Sequence, residues 1–281
     1  MKSQYQHKVV TSFMLWFDHY LLNKGEAYHN ETGQYFHYSD TKIPSSYEVF
    51  GSPYKQFIYN SSITGANIPS GVYVNGVWKD RNDGIIFDFD NGRIMSTGLL
   101  SSDTITGAFG VKDVNVYSVN ANEEDLIVEK KYSSTAEFPQ NNTWIPPYDF
   151  TVPAVFINAE TFQNKPFAFG GEDTTSSFIK GVVIANDPYI LDGVLSIFSD
   201  SFNEAFKLLP FEAYPVNEYG DLKSAPSFNY TGFAAASGEG LLFINNVVTS
   251  KLTDRAKASL ETNLFIGFLD FEVAMQRFPR L

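Results

Sequence analysis

The sequence predicts a β-rich α+β fold. An N-terminal helix comes first, then a sandwich- or barrel-like β module, then an antiparallel sheet with one amphipathic helix packed on it. Three observations carry this. Aromatic residues make up 16% of the 281-residue chain, with 26 Phe and 16 Tyr, and large aromatics suit a pleated, half-buried surface. Residues 34–133 fall into short alternating segments separated by turn residues, the pattern of a sandwich or barrel. Two other segments, 5–24 and 188–209, carry the apolar period of a helix instead.

In order along the chain, YQHKVVTSFMLWFDHYLLNK (5–24) reads as the first helix. Val10, Phe13, Met14, Phe17 and Leu21 recur at helical spacing, and Val9, Trp16 and Tyr20 widen the apolar face. Lys8, Thr11, Ser12, Asp18 and His19 gather on the other side, and Gly25 is placed to end the helix. Such a face docks on the chain's own core or on a neighbouring subunit. VYVNGVWK (72–79) is a hairpin around Asn75-Gly76, because a type I′ turn needs two residues that tolerate positive φ. RNDG (81–84) is a turn, and VKDVNVYSV (111–119) alternates as a strand. The stretch 134–151 holds three prolines and little periodicity, which reads as a linker. After it, 152–160 and 177–187 read as strands. Asp187-Pro188 is an N-cap followed by proline at the first helical position. Leu191, Val194, Leu195, Phe198, Phe202, Ala205, Phe206 and Leu209 then continue one helical face up to Pro210. Residues 241–250 and 263–278 read as two long strands. The expected organisation is a helix over 1–30, a β module over 31–133, the linker, and an α+β unit over 152–281.

Bulk composition narrows the function. Hydrophobic residues at 43% against charged residues at 19% mark a folded chain rather than a disordered one. A net charge of −12 repels phosphate backbones, which argues against a sequence-reading nucleic-acid binder. With no cysteine, a disulfide framework, a Cys-ligated zinc or iron–sulfur site and a Cys nucleophile are excluded. The N-terminus lacks the apolar core of a secretion signal, and its first apolar run, Phe13 to Phe17, is far short of a membrane span. The Asn-x-Ser/Thr sequons at Asn30, Asn60, Asn141 and Asn229 are then chance matches in a chain rich in Asn and Ser.

IIFDFDNGRIMST (85–97) poses the main chemical question, because Asp88 and Asp90 lie two residues apart on a strand and share a face. A calcium loop of the EF-hand type would place glycine one position later and a Glu where Leu99 stands. A glycosidase pair flanks its substrate across a cleft, which neighbouring strand positions rarely achieve. The expected arrangement is a hairpin with Asn91-Gly92 as its turn, Phe87 and Phe89 packed inward, and the two carboxylates solvated. His7, His19, His29 and His37 lack metal-binding spacing and read as surface or capping groups. Neither a phosphate-binding loop nor a serine-hydrolase elbow is present; ASGEG (236–240) lacks the first glycine, and FGGED (169–173) reads as a turn. Tyr73 and Trp78 could form a carbohydrate platform, with core packing the plainer expectation. No catalytic residue, cofactor or metal ligand is assigned.

The segments VPAVFINAETFQNKPFAFGG, FIKGVVIANDPYILDGVLSIFSDSF and LFIGFLDFEVAMQRF together resemble tail-terminator and neck proteins of tailed bacteriophages. The resemblance covers roughly residues 150–280. VYVNGVWK and IIFDFDNGRIMST are also similar to the β-rich connector or stopper proteins of the head–tail junction, although a fused β module departs from the shorter members. The resemblance implies a virion structural protein assembled in the host cytoplasm, not an enzyme. It implies a homo-oligomeric ring, commonly six-fold, that contacts connector, tail-tube or sheath proteins and lets DNA pass without specific binding or membrane contact. On this reading Phe13, Trp16, Phe17, Tyr20 and Trp144 are the candidate interface residues. The alternatives are a carbohydrate- or receptor-binding β module and a glycoside hydrolase using Asp88 or Asp90.

Overall fold

The structure is a computed structural model and describes residues 4–120, 126–128, 132–134, 148–167, 170–224, 227–255 and 263–278. Helix α1 (Tyr5–Lys24) opens the fold and stops where the sequence places its stop, the Gly25 N–H donating to the Leu21 carbonyl at 3.0 Å. At its start the Gln4 N–H donates to His7 Nδ1 at 3.0 Å, so His7 caps the helix.

The first sheet has seven strands: β1 (Tyr28–Tyr38), β2 (Glu48–Gly51), β3 (Gly71–Val74), β4 (Val77–Asp80), β5 (Ile86–Asp88), β6 (Arg93–Ser96) and β7 (Ile105–Lys112). Their spatial order is β4-β3-β7-β1-β2-β6-β5. Strand β1 pairs with β7 through residues 28–35 and with β2 through residues 36–38, so the sheet changes partner along one strand. It curls over a core of Tyr35, Phe50, Phe57, Phe87, Phe89 and Phe109. This is the β-rich module the aromatic composition predicts. The β3–β4 turn is as expected, with Asn75 at φ 51 and Gly76 at φ 83.

The second sheet has six strands in the order β13-β14-β15-β12-β11-β8. In chain order its members are β8 (Asn115–Ser118), β11 (Ala154–Pro166), β12 (Asp173–Ala185), β13 (Ala205–Lys207), β14 (Leu241–Lys251) and β15 (Phe265–Arg277). The two-residue strands β9 (Ser133–Ser134) and β10 (Thr151–Val152) form a separate parallel ribbon. Every pairing in the second sheet is antiparallel except β8 with β11. Helices α2 (Pro188–Ser199) and α3 (Tyr230–Ser237) complete the α+β arrangement. Residues 111–119, expected as one strand, are two. The chain leaves the first sheet at Lys112 and enters the second at Asn115.

Helix α1 packs into the core of the second sheet together with α2. The Phe17 and Phe198 rings stack at 3.8 Å between centroids, Trp16 stacks on Phe206 at 5.0 Å, and Phe271 meets Phe13 edge-on at 5.0 Å. Burying each such ring contributes about 1.5–3 kcal/mol before ordering costs. The residues offered as interface candidates on α1 are therefore inside the chain's own core: Phe13 is 1% exposed, Trp16 4%, Phe17 0% and Tyr20 9%. Trp144 lies outside the described residues. The expected polar face of α1 also differs. Asp18 is buried and paired with Lys112 at 2.5 Å. Buried Ser12 donates to the Lys8 carbonyl at 2.5 Å and accepts the Leu209 N–H at 2.8 Å. Short polar side chains that find partners can be enclosed at little cost.

Helix α2 begins as expected, with the Asp187 carboxylate accepting from the Tyr189 N–H at 2.6 Å and proline in the first turn. It ends at Ser199 instead of running to Leu209. Asn203 adopts a left-handed conformation (φ 65), and the chain turns to pair with β14: the Asn203 N–H donates to the Ile244 carbonyl at 3.1 Å, and the Ile244 N–H to the Glu204 carbonyl at 2.9 Å. These sheet bonds override the helical period, and Phe206 reaches the core from a strand.

Candidate functional site

The Asp88–Asp90 stretch is a hairpin, because β5 and β6 pair antiparallel. Its turn is longer than expected, spanning residues 89–92, and Gly92 (φ 59) is its left-handed residue. Asp88 is not solvated but completely buried. It accepts from Arg93 Nε at 2.7 Å, from the Asn91 N–H at 3.0 Å and from Asn91 Nδ2 at 2.9 Å. Arg93, also buried, spreads its guanidinium to Asp40 at 2.5 Å, to the Tyr38 hydroxyl at 2.9 Å and to the Tyr148 hydroxyl at 3.2 Å. The acidic partners hold Arg93 firmly charged, and burial raises the Tyr38 hydroxyl to about 12.

A loop from the second half of the chain closes over this network. The Phe89 N–H donates to the Gly220 carbonyl at 2.8 Å, and Val216 and Leu222 join the aromatic core of the first sheet. Gly220 sits at φ 75, and a Cβ there would overlap the Asp88 carboxylate. Only glycine meets both conditions. The loop is tied down by Arg81, which forks onto both oxygens of Asp221.

Asp90 occupies a second group of charges. Burial and the neighbouring Asp88 raise its carboxyl to about 7, against the opposing pull of Lys112 and Lys55. Asp90 in turn raises the Tyr214 hydroxyl, and burial lowers the Lys55 ammonium to about 8. A carboxyl near neutrality is suited to proton transfer when substrate can reach it. Of three surface clefts, of about 230, 480 and 410 Å³, the first borders this hairpin and loop through Ile86, Met95, Tyr219 and Asp221, but neither Asp88 nor Asp90 lines any of the three. Asp88 is committed to a guanidinium and two turn donors, which is the chemistry of a structural clamp.

The histidines are dispersed. His29 bonds Asp113 at 2.5 Å, His37 bonds Glu48 at 2.6 Å, and His19 bonds Asn60 at 3.1 Å beneath Tyr230. Burial lowers the His19 imidazole below its ordinary value. Among the described residues no three acidic or histidine side chains converge as metal ligands would.

Several large apolar and aromatic side chains are exposed. Tyr73 and Trp78, expected in the core, are 48% and 47% exposed. They meet edge-on at 5.1 Å, and the Trp78 ring lies against Gly71 so closely that a Cβ there would strike it. On the second sheet, Leu242 and Ile244 point into the core, which leaves Leu241 and Phe243 outward on β14. Exposed Phe202 precedes Asn203, whose N–H bonds the Ile244 carbonyl. Sequence periodicity misassigned Phe202 to a buried helical face. Comparison with known protein families found no matching family, and a search among characterised proteins found no matching relative.

Proposed function

We propose that the chain is a ring-forming structural subunit of a phage particle, of the neck or tail-terminator kind, and works through interfaces rather than catalysis. The observation that supports this reading best is the outward pair of Leu241 and Phe243 on β14 of the second sheet. Apolar side chains grouped on a surface favour a protein partner, and a sheet segment beside them extends naturally into a neighbouring copy. The clamped Asp88–Arg93 network agrees with a rigid building block. Negative net charge agrees with a channel through which DNA slides without sticking. Sedimentation velocity over a concentration series tests the reading. Wild type should form one discrete oligomer, and Leu241→Ser with Phe243→Ser should reduce it to single chains. A wild type that stays monomeric at every concentration would contradict it.

The exposed Tyr73–Trp78 pair favours a second reading, a carbohydrate- or receptor-binding β module. Amphipathic rings held at fixed geometry on a rigid hairpin suit sugar stacking. Titration of neutral and acidic oligosaccharides, followed by tryptophan fluorescence, should give a saturable shift that Trp78→Ala abolishes. No shift with any glycan would dismiss this reading.

A further inference from the structure

Among the described residues, both edges of the second sheet are only partly covered. Residues 203–207, which include β13, cover β14 only at residues 241–244, and β8 covers β11 only at residues 154–157. Among the described residues, β14 from Asn246 to Lys251 and β11 from Glu160 to Pro166 have a partner strand on one side alone. The Leu252 N–H bonds the Ile266 carbonyl at 2.9 Å, which fixes the alternation along this ladder. By that alternation, the residues opposite Phe271 and Leu269, namely Val247 and Thr249, turn their backbone N–H and C=O groups away from β15. A row of such groups is a template for another strand.

We propose that β14 of one copy pairs with β11 of the next copy, so that the sheet continues from subunit to subunit. This inference rests on the ring reading above and names its contact. Three features point to a second copy as the occupant. The free edges are on opposite sides of the same sheet, so joining them is a head-to-tail contact, the kind that closes into rings. Strands β14, β15, β12 and β11 alternate in direction. A neighbour in the same orientation therefore presents β14 antiparallel to β11, which continues the alternation. The free segments are also offset along the strands: β14 is open where it faces residues 267–272 of β15, and β11 is open toward Asp173 and Arg277 at the other end. A closed ring of tilted strands requires such a stagger. The outward Leu241 and Phe243 lie on one edge strand, and exposed Phe167 follows the end of the other.

Cysteine cross-linking of the full-length chain tests the contact, since the chain has no cysteine of its own. Val248→Cys is combined in turn with Thr161→Cys or Gln163→Cys. Within one copy these edges are three strand spacings apart, about 14 Å, which no disulfide spans. Oxidation should give a ladder of covalent multiples that ends at the ring size, and each single variant should give none. Thr249→Pro, which removes an outward donor and no internal ladder bond, should keep the fold by circular dichroism and sediment as one chain. An oligomer of unchanged size without any ladder would overturn the strand contact and leave the ring reading standing. A covalent dimer from Val248→Cys alone would replace it with symmetric β14 pairing. Wild type sedimenting only as monomer would overturn both.

Discussion

Replacing Asp88 tests whether the 85–97 hairpin is a clamp. In Asp88→Ala, three donors lose their acceptor: Arg93 Nε at 2.7 Å, the Asn91 N–H at 3.0 Å and Asn91 Nδ2 at 2.9 Å. The carboxylate and Arg93 are buried, and Asn91 is half-buried. Breaking a buried pair by removing one member costs about 3–5 kcal/mol. Asp40 still holds the guanidinium at 2.5 Å, so the lower half of that range is expected. Asp88→Asn keeps one oxygen for the Asn91 N–H but loses the charge-assisted bond to Arg93, a loss of about 1.5–3 kcal/mol. Urea unfolding followed by far-UV circular dichroism gives both numbers, with the denaturant slope as a check that the folded state is intact. Both variants within about 0.5 kcal/mol of wild type, the range of ordinary surface changes, would refute the clamp and return Asp88 to a solvated face.

Other perturbations follow from the same contacts. Phe198→Ala, which removes a ring enclosed by Phe17, Trp16, Tyr20 and Phe271, should cost about 3–5 kcal/mol in the same assay. Deleting residues 1–30 should give an unfolded chain by circular dichroism, because α1 is core; a folded truncation would contradict that placement. The Asp90 carboxyl keeps its proton up to about pH 7 in the folded chain and releases it near its ordinary value when unfolded. Its contribution is therefore complete below about pH 4 and lost as pH rises through 7. Stability measured from pH 4 to 8 should fall more steeply for wild type than for Asp90→Asn, and equal slopes would contradict the raised Asp90 carboxyl. Gly220→Ala should destabilise by more than about 1 kcal/mol, since its φ of 75 and its contact with Asp88 both oppose a Cβ.

Local signals in the sequence carried well where the chemistry was local. The α1 boundaries, the Asp187-Pro188 start of α2 and the Asn75-Gly76 turn each depend on one or two residues and their neighbours. The β-rich α+β class followed from aromatic content and alternation. What tertiary pairing decides was not legible. Asp18 and Asp88 look like surface acids until Lys112 and Arg93 reach them from 94 and 5 residues away. The loop glycine at 220 that shapes the Asp88 site gives no sign in sequence of the carboxylate it accommodates. Periodicity carried Phe202 and Phe206 onto one helical face, whereas a turn at Asn203 sends one outward and the other into the core. The two-residue step Asp113-Val114, where the chain changes sheets, interrupts an alternation that otherwise continues from 111 to 119. Helix α3, with Asn229 accepting from the Gly232 N–H at 2.8 Å, was missed because YTGFAAAS is short and only weakly amphipathic.

The most direct test of the central claim is quantitative mass spectrometry of gradient-purified phage particles from the source of the chain, with copy number scaled to the major capsid protein. A ring subunit should be present at a low fixed copy number, on the order of six or twelve per particle, as the resemblance to neck and terminator rings implies. Absence from the particles would contradict the structural reading and leave the Tyr73–Trp78 binding surface as the account to pursue.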